Sequence, residues 1–114
     1  MKACVCNEHW NQWVPMIERR IIGAAVRIIL DQGLMITVWD GEEVALSASV
    51  NPDDILGVIG DTDITIFNVQ KVDGYMHGFI VFIHGNNEDV LSDHSIGIVL
   101  ENIVDKIAKE VQST

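Results

Sequence analysis

Three residues near the start of the chain have the types that bind metal: Cys4, Cys6 and His9, in the stretch KACVCNEHW. Two thiolates and an imidazole converging on one ion are three-quarters of a zinc site. The spacing argues against it. Structural zinc sites use two to four residues between paired cysteines, so that backbone amides support the sulfurs, and here one residue separates them. No second cysteine pair follows, so a fourth ligand would have to come from His77, His84, His94 or a carboxylate. On an extended strand Cys4 and Cys6 share a face, and both thiols can be buried as small apolar groups. They are also too close in sequence to bridge each other without strain.

A second constellation lies in HGNNEDVLSDHS, where His84, Glu88, Asp89, Asp93 and His94 fall within eleven positions. Carboxylates beside imidazoles can ligate a divalent ion or act as a general acid and base. The spacing matches no calcium-binding loop, which requires acids at alternate positions and a closing glutamate. Turn chemistry accounts for the same residues: Gly85, Asn86 and Asn87 suit left-handed geometry, Asp93 or Ser95 can cap a following helix, and the histidines are then surface or interface groups. Nothing resembles a nucleophile elbow, a phosphate-binding loop or a dinucleotide fingerprint, and the glycines stand singly at turns. No catalytic residue and no cofactor is expected.

The elements that must position these groups follow from periodicity. Apolar residues Ile17, Ile21, Ala24, Ala25, Ile28 and Ile29 recur at helical spacing between Met16 and Gln32, with Pro15 at the start, Gly33 past the end, and Arg19, Arg20 and Arg27 on the wetter side. LMITVWDGEEVALSAS forms two strands around Asp40-Gly41. An odd-length loop would put Leu34, Ile36 and Val38 on the same face as Val44, Leu46 and Ala48. Asn51 and Pro52 start a short helix that Gly60 ends. Strands are expected over 63–71, 75–84 and 88–92, with turns at Asp73-Gly74 and at Gly85–Asn87. A helix over 96–111 closes the chain. Residues 1–14 suit a short edge strand and loop, with Trp10 and Trp13 packing near the first helix. The fold class is α+β: one domain over 1–114, an antiparallel sheet of about five strands with three helices, in the order α-β-β-α-β-β-β-α. The segment FIVFI (79–83) is apolar on both faces, as in a strand covered on both sides. Three helices on one side would leave the other open, so a homodimer is expected to cover it.

Charge narrows the function. The chain carries a formal net charge of −10, and between Ile28 and Asp105 it has fourteen acids and one base, Lys71. Such a surface repels nucleic acid and anionic membranes and suits a basic protein partner. It also keeps an apolar small domain in solution. No apolar run approaches the length of a membrane span, and the polar Asn7, Glu8 and His9 close to Met1 do not suit a signal peptide, so a cytosolic location is expected.

Three stretches, ITVWDGEEVALSAS, ILGVIGDTDITIFNV and FIVFIHGNNEDVLSDHS, resemble a group of small uncharacterised proteins from bacteriophages and proteobacteria. That group shares a DGEE hairpin, a TDE-like strand start and a YGND…DVI.DH ending. The likeness spans about residues 34–95 and departs from the pattern at Ile64 and at His84, where the group has tyrosine. It implies a phage or prophage accessory factor acting in a bacterial cytosol, and no particular activity. The combined expectation is a non-catalytic acidic protein that binds and modulates a host protein through Asp40, Glu42 and Glu43 at one hairpin tip and Glu88, Asp89 and Asp93 at another. The alternative is a small metal-dependent enzyme or ligand-sequestering protein using the His84–His94 region.

Overall fold

A computed structural model describes residues 14–60 and 62–112. Cys4, Cys6, His9, Trp10, Trp13 and the expected N-terminal edge strand lie outside the described residues. Among the described residues eight elements follow in the expected order, with a 3-10 turn added before the last strand: α1 (Met16–Asp31), β1 (Met35–Trp39), β2 (Val44–Ser49), α2 (Pro52–Gly57), β3 (Ile64–Gln70), β4 (Met76–Ile83), the 3-10 turn (Asn87–Asp89), β5 (Leu91–His94) and α3 (Ile98–Gln112). The five strands form one antiparallel sheet in the order β2-β1-β3-β4-β5, so the fold is α+β as the periodicity implies.

The helices form a single layer, α1 touching both α2 and α3, with α2 reaching β2 and α3 reaching β4. Strand alternation shows which face they cover. In β3 the side chains of Thr65, Phe67 and Val69 are buried while Ile64, Ile66, Asn68 and Gln70 are only partly so. In β4 Ile80 and Phe82 are buried, but Phe79 and Ile83 are 39% and 36% exposed. The core therefore lies between the sheet and the helix layer, around Phe67 and Phe82, whose rings meet edge-on at 5.0 Å. Among the described residues the two-sided apolarity of 79–83 is covered on one side only.

Local signals act much as expected, with instructive departures. Helix α1 ends in paired bonds from Gly33 N–H to Leu30 C=O and from Leu34 N–H to Ile29 C=O. Asn51 caps α2, its Oδ1 accepting from the amides of Asp53 and Asp54, but the helix stops at Gly57 rather than running to Gly60. Arg19 is not on a wet face. It is buried, and its Nε donates to Val14 C=O at 2.8 Å, covering a carbonyl at the helix start. The β1–β2 loop is even, since Trp39 pairs with Val44 across four residues. The expected one-residue shift occurs inside β2 instead, where a bulge realigns Val38 with Leu46 and a second precedes Ser49, with Ala48 at φ 41. Leu46 thus faces inward as burial requires, while Val44 faces outward and is 44% exposed. Asp93 and Ser95 do not cap α3: Asp93 Oδ1 accepts from His94 N–H and Ser95 Oγ from Phe79 N–H. Glu101 reaches back to Gly97 N–H in their place.

Candidate interaction surface

The topology brings the two acidic tips to the same end of the sheet. Strand β1 ends there at Trp39, β3 starts there at Ile64, and β4 ends there at Ile83, because Trp39 pairs with Ile66 and Ile64 with Ile83. The loops carrying Asp40, Glu42 and Glu43, then Asp63, then Glu88 and Asp89 therefore emerge side by side. The outer four of these acids, Glu42, Glu43, Glu88 and Asp89, are exposed, as is Asp63. Asp93 lies apart from the tips, on the exposed edge of β5 opposite Val81. Among the described residues Arg19 and Arg20 stand near the start of α1, on the side of the second tip, with Arg19 buried and bonded to Val14 C=O. Arg27, Lys106 and Lys109 lie further along α1 and on α3, and Lys71 in the β3–β4 turn at the opposite end.

Each tip is held by its own polar anchor. At the first, Asp40 Oδ1 accepts from the amides of Glu42 and Glu43, both at 2.9 Å. These bonds, Glu43's first, hold its carboxyl below the usual carboxylate range. Gly41 sits at φ +101 with its Cα against Ile64, where any Cβ would lie 2.3 Å from Ile64 Cγ2. Thr62 Oγ1 lies 2.5 Å from Asp40 C=O, so the tip is fastened to the start of β3.

The second tip is fastened from inside the protein. Glu18, on the first turn of α1, is fully buried, and its Oε2 accepts from the amides of Gly85 and Asn87 at 2.9 and 2.8 Å. Gly85 and Asn87 both adopt positive φ, which turns their N–H groups toward one acceptor. Glu18 Oε1 lies 3.5 Å from His84 Nδ1, and His84 Nε2 lies 2.7 Å from Thr65 Oγ1. Carboxylate, imidazole and hydroxyl thus stand in a row, the order found in nucleophilic relays. Here Thr65 is 2% exposed, so its hydroxyl is closed off from solvent. The row instead ties α1, β3 and the β4–β5 turn together. Burial lowers the proton affinity of His84, against the opposing pull of Glu18 and then Asp63.

The sequence places His84 on the surface, at an interface or in a metal site, and the fold puts it in the interior. His94 stays on β5 with its Nδ1 near Ser95 C=O. Among the described residues no three of His, Cys, Asp and Glu converge as metal ligands. The role of Glu18 was missed because its position near a helix N-terminus already had a sufficient local explanation in the dipole. The one available signal was a carboxylate three residues before Ile21, adjacent to the buried stripe rather than opposite it. On the helix side, a groove of about 670 Å³ runs between α1 and α3, lined by Ile17, Ile21, Leu91, Val104, Ile107 and Val111, with Asn87 and Glu88 at its rim. No helix among the described residues is long and apolar enough to cross a membrane. No protein-family model matches the chain, and no curated protein or solved structure is significantly similar to it.

Proposed function

We propose that this protein is a non-catalytic binding protein whose acidic end engages a basic surface on another protein. The observation that supports this is the gathering of Asp40, Glu42, Glu43, Asp63, Glu88 and Asp89 at one end of the sheet, on anchored loops, where the described bases are Arg19, which is buried, and Arg20, near the start of α1. Fixed like charges raise the local potential, speed encounter with a basic partner and reject acidic ones. The buried carboxylate, imidazole and hydroxyl support the loops and do not face a reactant. With the resemblance to phage and proteobacterial proteins, the reading is that of an accessory factor that binds and modulates a host protein.

A matched pair of variants tests whether place matters or only net charge. Glu42→Gln/Glu43→Gln/Glu88→Gln/Asp89→Asn removes four charges from this end, and Asp31→Asn/Asp54→Asn/Asp73→Asn/Asp105→Asn removes four from elsewhere. Titrated with a lysine-rich polypeptide at about 0.1 M salt, the first should lose about tenfold in affinity and the second much less. Equal losses would reduce the acidic end to a solubility device.

A second reading is favoured by the α1–α3 groove, which borders the His84–His94 region. An apolar small molecule would fit it, and native mass spectrometry of freshly purified protein would show the retained mass. A spectrum holding only the 12.7 kDa chain would remove that reading.

A further inference from the structure

The outer face of the sheet has a pattern of its own. Directly paired residues project on the same side, so the pairs Trp39↔Val44, Trp39↔Ile66, Ile66↔Val81 and Val81↔Asp93 define one row across all five strands. The row reads Val44, Trp39, Ile66, Val81 and ends on Asp93. Ile64 and Ile83 form a parallel row beside it, toward the acidic end. On the other side the face is mixed: Thr37 and Asn68 share a row with the exposed Phe79, and Gln70 pairs with Met35 and the exposed Met76. Thr37 Oγ1 donates to Gln70 Oε1 and accepts from Ala48 N–H, so part of that region is already satisfied internally.

The apolar stripe is therefore bounded. Thr37, Asn68 and Gln70, interrupted by Phe79, lie along one side, the acids Glu43, Asp40 and Asp63 along the other, and Asp93 at one end. Its long axis crosses the strands. Four strands at roughly 4.8 Å spacing make it about 14 Å long before it meets Asp93, and a helix of about 10 residues has that length.

We propose that this stripe is the docking site for an amphipathic helix of a partner protein, apolar on the side that meets the sheet and rich in lysine or arginine along the flank that meets the acidic loops. The proposal rests on the reading of the acidic end as a protein-binding surface and names the element that binds. Charge complementarity selects the occupant. A second copy of this chain carries the same overall −10 and is repelled by the first, whereas a basic flank is neutralised as the apolar face is covered. Strand addition at the sheet edges is disfavoured by the chain itself. β2 is bulged twice, and on β5 the Asp93 carboxylate already occupies the amide of His94.

The test uses a designed peptide of about 14 residues with leucines on one helical face and lysines beside them, against a scrambled peptide of identical composition. The helical peptide should bind about tenfold more tightly than the scrambled one, with amide shifts in β1, β3 and β4. Val44→Gln/Ile83→Gln, which alters two exposed side chains, should lose about tenfold in affinity for the helical peptide while keeping the melting temperature and circular dichroism of the parent. Equal binding of both peptides would overturn the helix proposal and leave the acidic-end reading standing, and binding of neither would remove both. Amide shifts confined to α1 and α3, or a mass of twice 12.7 kDa in solution with the stripe protected from exchange, would overturn the proposal in favour of the groove or of a second copy.

Discussion

Glu18 shows how one residue on one element can set the shape of another far along the chain. A fully buried carboxylate is costly to place unless its charge is compensated, and two backbone amides at 2.9 and 2.8 Å supply that compensation. Replacing it by alanine should cost about 2–3 kcal/mol and loosen the turn that carries Glu88 and Asp89. Urea unfolding measures the first effect and hydrogen exchange at Gly85 and Asn87 the second; an unchanged exchange rate would show that the turn holds its shape alone. His84, beside it, sets a pH dependence. Burial depresses its proton affinity in the folded state, while Glu18 and Asp63, the acids facing it, only partly offset that, and Thr65 contributes a neutral hydroxyl. The unfolded chain therefore takes up the proton first. Stability is full above the ordinary histidine value of 6.5 and declines as pH falls through it toward the lower folded value. His84→Asn should flatten the dependence of unfolding free energy between about pH 7.5 and 5.5. The same slope in parent and variant would assign it to another group.

At the scale of elements, the β1–β2 hairpin is where local signals and packing negotiated. The alternation of Ile36, Val38 and Leu46 demanded one inward face, and the Asp40-Gly41 signal demanded a turn. Both demands are met by an even loop followed by a bulge, an arrangement that no count of loop residues predicts, because a bulge leaves no compositional mark in VALSAS. Gly41 is where the hairpin meets β3. Gly41→Ala would combine a left-handed backbone with a methyl 2.3 Å from Ile64 Cγ2, and should destabilise the fold by about 2–4 kcal/mol. A melting temperature equal to the parent's would mean that the tip moves freely off β3, and would weaken the view of Asp40, Glu42 and Glu43 as a fixed surface. Helices were the more legible elements. Ile17 to Ile29 and Leu100 to Ile107 carry their own period, and Asn51 and Gly33 mark an end each.

On the scale of the whole molecule, charge and apolar surface are distributed by topology. The excess of acids is a property of composition, and it makes any association with a basic partner weaken as ionic strength rises. Between about 0.05 and 0.5 M salt the parent's affinity for a lysine-rich polypeptide should fall steeply, and that of the variant lacking the four acids at this end should fall less. Parallel slopes for the two would mean that the charge acts diffusely. The sequence by itself determined the α+β class, the order of the elements, the acidity and the two-sided apolar strand at 79–83, because each follows from residues within a few positions of one another. Only the tertiary structure decided that the acidic tips share one end, that the half-buried Trp39, Ile66 and Val81 line up beside them on the outer face of the sheet, and that Glu18 and His84 meet in the interior. Those outcomes depend on strand order and on contacts across as many as 69 residues, as between Glu18 and Asn87. Periodicity says which face of an element is buried, but not which other element will lie against it.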